Sequence, residues 1–144
     1  MEELRQKFPE AIEEITTHLG EETITLKKEY ILPACHYLKS QGYTFLSDLT
    51  GVDLGVDKNP RFQVVYHLYS LNTHKRLRLK INLPAENPTV ESVTPVWKTA
   101  DWFEREAFDM FGIIFLNHPN LTRILTPDNF EDYPLRKDYP LRGR

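Results

Sequence analysis

The sequence holds one cysteine, Cys35, among its 144 residues. That excludes an internal disulfide framework, a four-cysteine zinc site and iron–sulfur ligation by this chain alone. No apolar run approaches the ~20 residues a membrane span needs. The opening stretch, MEELRQKFPEAIEE, is acidic and lacks an apolar core, which predicts neither a signal peptide nor a mitochondrial transit peptide. Net charge is only −3, so no global pull toward nucleic acid is expected. Glycines number six, and none stands in a phosphate-cradling pattern; Gly51 and Gly55 read as turn residues.

What is present fits one folded domain. The hydrophobic share of 40% and aromatic share of 12% are those of a globular chain, and the length suits a single domain of about 150 residues. The totals conceal an uneven layout. Seven of the ten prolines lie beyond residue 83. Residues 1–22 carry seven acids and two bases, whereas residues 136–144 carry four bases and Asp138 alone.

Leu4, Phe8, Ile12, Ile15 and Leu19 recur at spacings of three and four, which predicts helix over 2–19, broken near Pro9 and stopped by Gly20. Thr23–Lys27 alternates and predicts a short strand. Pro33–Gln41 predicts a helix with proline in its first turn. Thr44–Leu49 predicts a strand closed by a turn-rich stretch from Gly51 to Pro60. Phe62–Leu71 and Arg76–Leu83 predict an antiparallel hairpin, the second strand alternating strictly between leucine or isoleucine and polar residues. Val90–Met110 predicts a helix interrupted near Pro95 and stopped by Gly112. The order of elements does not alternate strand and helix. It predicts an α+β domain over 1–120, helices packed on a mostly antiparallel or mixed sheet, followed by an extended proline-rich basic arm over 121–144.

Each candidate for chemistry has a plainer reading beside it. Arg76, Arg78 and Lys80 on one strand face suit either phosphate contact, as a nucleic-acid module would make, or a solvated sheet face without stacking aromatics. Glu104, Glu106 and Asp109 suit acid–base work, with His118 as a partner in a stand-alone enzyme. No histidine stands at helical spacing to complete a di-iron pattern. Arg105, with Asp101 four residues before and Asp109 four after, suits a charge ladder. His67, His74 and His118 have no metal spacing. Cys35 and His36 are neighbours on a helix and point apart, which makes Cys35 a core residue. In the arm, Tyr133-Pro134-Leu135-Arg136 returns as Tyr139-Pro140-Leu141-Arg142. Proline keeps each copy extended, and its Tyr, Leu and Arg content is that of interface anchors. That predicts an arm that docks on another chain.

From Trp102 onward the residues resemble a known family. The resemblance rests on Glu104-Arg105-Glu106-Ala107-Phe108-Asp109-Met110-Phe111-Gly112-Ile113, then His118-Pro119 and Arg123-Ile124-Leu125. It continues through Phe130 to Tyr133-Pro134-Leu135-Arg136-Lys137-Asp138-Tyr139-Pro140. Upstream, Asp48-Leu49-Thr50-Gly51-Val52-Asp53 resembles a further family segment. The pattern is similar to the 30-kDa, or C-type, subunit of bacterial respiratory complex I, the proton-translocating NADH:quinone oxidoreductase.

That resemblance implies a non-catalytic subunit of the peripheral arm, with no catalytic, cofactor-binding or metal residue of its own. Flavin mononucleotide, iron–sulfur clusters and quinone belong to other subunits. It implies packing against the D-type subunit beside the quinone pocket, with the B-type and I-type subunits among the neighbours. It places the chain on the cytoplasmic side of the bacterial inner membrane, with no nucleic acid bound and no membrane span. Glu104, Arg105, Glu106, Asp109, Gly112, His118, Pro119 and Arg123 are then expected to fix the helix, its following loop and the subunit contact, and the segment from Tyr133 to lie along the partner. Thr122 departs from the family, which commonly has a second arginine there. Related subunits also occur in membrane-bound hydrogenase-type complexes, which leaves that assembly as an alternative.

Overall fold

In the computed structural model, which describes residues 2–139, seven strands and three α-helices follow one another. Helix α1 spans Glu2–Lys7, β1 Ile12–His18, β2 Glu21–Leu26, α2 Ile31–Ser40, β3 Phe45–Asp53, β4 Phe62–Tyr69 and β5 Arg76–Leu83. Then come β6 over Thr89–Glu91, α3 over Ala100–Phe111 and β7 over Ile114–Leu116. Five strands form one sheet in the order β1-β2-β5-β4-β3, and β6 and β7 form a separate parallel pair. Within the large sheet β2–β5 is parallel and the other pairings are antiparallel. The fold is therefore the expected α+β class with a mixed sheet.

The alternation in β5 decides which face is buried. Leu77, Leu79, Ile81 and Leu83 point into the core and stand opposite Leu68, Tyr66, Val64 and Phe62 of β4. One apolar cluster joins these residues to Leu4 of α1, to Ile31, Ala34, Cys35 and Leu38 of α2, and to Ala107 and Phe111 of α3. Burial pushes the Cys35 thiol well above its ordinary pKa, helped by the charge of Glu104, as suits an inert core residue. The opposite face carries Arg76, Arg78, Lys80 and Asn82, all at least partly exposed.

The N-terminal reading needs correction: helix ends at Lys7 and residues 12–18 are strand. A β-bulge between Ile12 and Glu14 explains the misreading. Ile12 faces Leu26 and Ile15 faces Ile24, so residues three apart on β1 oppose residues two apart on β2. The bulge gives a strand the spacing of a helix. Leu19 and Gly20, with φ of 52° and 83°, form the two-residue hairpin turn after His18. Gly20 ends a strand rather than a helix, and Leu19 is 89% exposed.

Two further boundaries differ. Gly51-Val52-Asp53, expected in a turn, continues β3 and pairs with Val64, Gln63 and Phe62. Residues 89–91 are strand, and helix begins only at Ala100. Gly112 ends that helix as expected, with φ of 80° and its N–H donating to the Phe108 carbonyl.

Gly51 explains how α3 comes so close to β3. A β-carbon there would lie 2.7 Å from Phe111 Cδ2 and 3.0 Å from Ile113 Cδ1. The Gly51→Ala variant should therefore lose about 1–3 kcal/mol of stability in urea unfolding. Combining it with Phe111→Leu should cost less than the sum of the two single changes. Additive losses would show that this contact does not limit the packing.

Candidate functional site

The motif residues converge on α3 and the chain that follows it. Glu104 is fully buried and its two oxygens bind the connection between β6 and α3. The Ser92 hydroxyl donates to Oε1 at 2.7 Å and the Val93 N–H to Oε2 at 2.8 Å. This carboxylate pins Ser92 and Val93 outside any helix, where the sequence pattern predicted one. Burial pushes its pKa up to about 7 against the opposing effect of these two hydrogen bonds.

His118 is packed against the first turn of α3 with its side chain fully buried. Its Nδ1 accepts the Asn120 N–H at 2.9 Å, which leaves the proton of the neutral ring on Nε2. Nε2 lies 3.0 Å from Asp101 Oδ1 and 3.9 Å from Glu104 Oε1. Pro119, beside it, is exposed.

Arg105 does not form the predicted ladder with Asp101 and Asp109. It donates to the Thr122 hydroxyl at 2.9 Å and to the Thr122 and Arg123 carbonyls. Thr122 thus serves as an acceptor through both its hydroxyl and its carbonyl.

Asp109 is fully buried and gathers the loop after it. Oδ2 accepts the N–H groups of Ile124, Leu125 and Thr126 at 3.1, 2.6 and 3.0 Å. Oδ1 accepts the Arg123 guanidinium at 2.8 Å and the Thr126 hydroxyl. Burial alone would raise this group's pKa, but the donors outweigh it and hold it at about 2.

Beyond the loop the segment lies on its own domain as far as Tyr139. Leu135 N–H donates to the Met110 carbonyl at 3.0 Å, and Arg136 Nε to the Phe111 carbonyl at 2.7 Å. Tyr133 and Arg136 cover Gly112, where a β-carbon would come within 2.9 Å and 2.7 Å of them. Pro134 is half-buried beside them. Lys137 N–H donates to Asp53 Oδ2 at 2.7 Å. Tyr139 packs its ring against Phe130. Contacts that the sequence pattern reserved for a partner are made here within the chain. Pro140, with the rest of the second Tyr-Pro-Leu-Arg copy, lies outside the described residues.

Asp53 and Arg61 form a buried ion pair that sequence reasoning missed. Arg61 Nε and Nη2 donate to the two oxygens of Asp53 at 3.0 and 2.8 Å, and Nη2 also reaches Asp138 at 3.0 Å. The Arg61 guanidinium, then the N–H groups of Lys137 and Gly55, hold the Asp53 carboxyl at about 2 despite burial. The Asp48–Asp53 segment marked one partner; nothing in the local pattern marked the other. An alternating column of cations and rings continues from it. Arg61 lies 4.8 Å from the Phe62 centroid, Arg136 5.1 Å from Phe62 and 4.6 Å from Tyr133, and Arg123 4.9 Å from Tyr133.

The enzyme reading required Glu104, Glu106 and His118 to act together. Glu104 and His118 are close but sealed from solvent. Glu106, two residues on, lies on another face of the helix, beside Leu135 and Leu125. Arg76 stacks on Tyr69 and Arg78 lies 3.9 Å from Glu21 on the open sheet face. Among the described residues no cluster of three or more His, Cys, Asp or Glu is placed to hold a metal ion. No described helix is long and apolar enough to cross a membrane.

The three carboxyls set opposite pH dependences. Asp53 and Asp109, held at about 2, each contribute about 2 kcal/mol that is present above about pH 4 and lost as pH falls toward 2. Glu104, raised to about 7, favours the fold below about pH 4.5 and loses that contribution as pH rises toward 7. Replacing it in the Glu104→Gln variant should shift the stability difference from wild type by about 2–3 kcal/mol in the variant's favour between about pH 5 and about pH 8. Denaturant unfolding at the two pH values measures this, and an unchanged difference would refute it.

Comparison with known proteins places this arrangement. Residues 24–144 match the family described as the respiratory-chain NADH dehydrogenase 30-kDa subunit. The C-type subunit of NADH-quinone oxidoreductase from Citrifermentans bemidjiense is 50% identical over 142 residues, 97% of this chain and 87% of that protein. A trypsin-resistant fragment of Nqo5 superposes with a TM-score of 0.71 at 35% identity, over 83% of this chain and 95% of that one. A chain of an archaeal membrane-bound sulfane sulfur reductase shares the fold, with a TM-score of 0.83 at 21% identity over 97% of this chain and 83% of its own. The chain belongs to the family of the respiratory-chain NADH dehydrogenase 30-kDa subunit.

Proposed function

We propose that the chain is a non-catalytic structural subunit of the peripheral arm of NADH:quinone oxidoreductase. It packs against the D-type subunit beside the quinone pocket, on the cytoplasmic side of the bacterial inner membrane, with the B-type and I-type subunits nearby. Flavin, iron–sulfur clusters and quinone are held by other subunits.

One observation carries this reading. The charged motif residues are spent on the chain's own architecture: Glu104 on Ser92 and Val93, Arg105 on Thr122, Asp109 on Arg123 and its loop. Such bonds make a rigid mount rather than a reacting centre. The same region exposes large apolar side chains, with Trp102 at 52%, Leu125 at 56% and Leu135 at 56%. Aromatic and leucine side chains held in fixed positions are what a subunit contact uses.

A tagged chain, expressed in its own host, should co-purify with NADH:quinone oxidoreductase activity, and deleting its gene should lower NADH-driven quinone reduction by membranes. The isolated chain should oxidise no NADH. Co-purification with hydrogen-evolving activity instead would move it to a hydrogenase-type complex. Turnover by the isolated chain would defeat the structural reading.

A further inference from the structure

A shallow groove of about 260 Å³ runs between α3 and β3. Its lining includes Gly51 of β3, Glu106 and Met110 of α3, and Leu125 and Leu135 from the chain beyond. Both leucines are more than half exposed, yet neither is loose. The Leu125 N–H is bound by the buried Asp109 carboxylate at 2.6 Å, and the Leu135 N–H by the Met110 carbonyl at 3.0 Å. Apolar side chains mounted this firmly bind with little further loss of conformational freedom.

Glu106 supplies the charge of the groove. Glu104, Arg105 and Asp109 on the same helix each have a hydrogen-bonded partner within the chain. The Glu106 side chain has no hydrogen bond or ion pair among the described residues, though it is half-buried. The cations of neighbouring segments are committed elsewhere, Arg123 to Asp109 and Arg136 to the Phe111 carbonyl. Strand addition at the β3 edge is also discouraged. The Leu49 N–H is taken by Asp48 Oδ1 at 2.9 Å, and the Thr50 hydroxyl covers the Gly51 carbonyl at 3.3 Å.

We infer that this groove docks a segment of another subunit through its side chains: an apolar residue seated between Leu125 and Leu135, and a Lys or Arg paired with Glu106. The inference rests on the reading of the chain as a subunit. A second copy of this chain fits less well, because a two-fold contact here brings like charges together.

The test uses the assembled complex in host membranes. A photo-crosslinking amino acid replaces Leu125 or Leu135, with Leu19, 89% exposed in the turn between β1 and β2 and across the sheet from β3, as control. Positions 125 and 135 should crosslink to one other subunit, and position 19 should not. Glu106→Lys should lower that yield about tenfold, and Glu106→Gln less, as loss and reversal of a charge pair require. Both variants should melt with wild type, since Glu106 holds nothing within the chain. A complex that assembles without these crosslinks, or whose yield ignores Glu106→Lys, overturns the groove assignment alone. A crosslinked homodimer overturns it in favour of a second copy. Failure of the wild-type chain to co-purify with any complex overturns the subunit reading, and the groove with it.

Discussion

Asp109 holds the position on which the last third of the chain depends. A carboxylate without solvent must find its hydrogen bonds in protein, and here five donors come from residues 123–126. Three are consecutive backbone N–H groups, which only a tight loop wrapped around the oxygen can supply. The loop therefore has one shape available to it. That shape sets the Arg123 guanidinium against Asp109 and within cation–ring distance of Phe108, Phe130 and Tyr133.

The remaining segment is laid down by the same logic, repeated. Arg136 stacks against Phe62 and Tyr133 while its Nε bonds the end of α3, and Arg61 also stacks on Phe62 while Asp53 fixes its fork. Each cation–ring contact is worth about 0.5–2 kcal/mol, more where water is excluded. Lysine would not serve, because a flat guanidinium stacks and donates sideways at once. As far as Tyr139, a proline-rich stretch without helix or strand is ordered in this way by charge and stacking.

How much of this was legible in sequence follows from the range of each interaction. The β4–β5 hairpin was readable because alternation is a local property and both strands keep it. The α3 stop at Gly112 was readable for the same reason. Strand β1 was not, because its bulge aliased the apolar spacing to that of a helix, although Ile12, Ile15, Thr16 and Thr17 are β-branched. The start of α3 was misplaced because Glu104, eleven or twelve residues downstream, decides that Ser92 and Val93 form a turn. Arg61 was missed because its partners Asp53 and Asp138 stand 8 and 77 residues away. Family motifs identified Asp109 and Arg123 as important without saying that they meet each other.

Tyr133, Leu135 and Arg136 show why composition alone could not settle the arm. Tyr, Leu and Arg are the side chains that make interfaces, and an interface within a chain obeys the same chemistry as one between chains. Tyr133 and Arg136 close on Gly112, where a positive φ and the absence of a β-carbon are both required. Leu135, expected in an extended arm, instead stands at the corner of a turn closed by the Arg136 N–H on the Tyr133 carbonyl, and is turned out of that contact. The turn thus divides the motif: Tyr133 and Arg136 fasten the segment to its own domain, and the leucine between them remains on the surface.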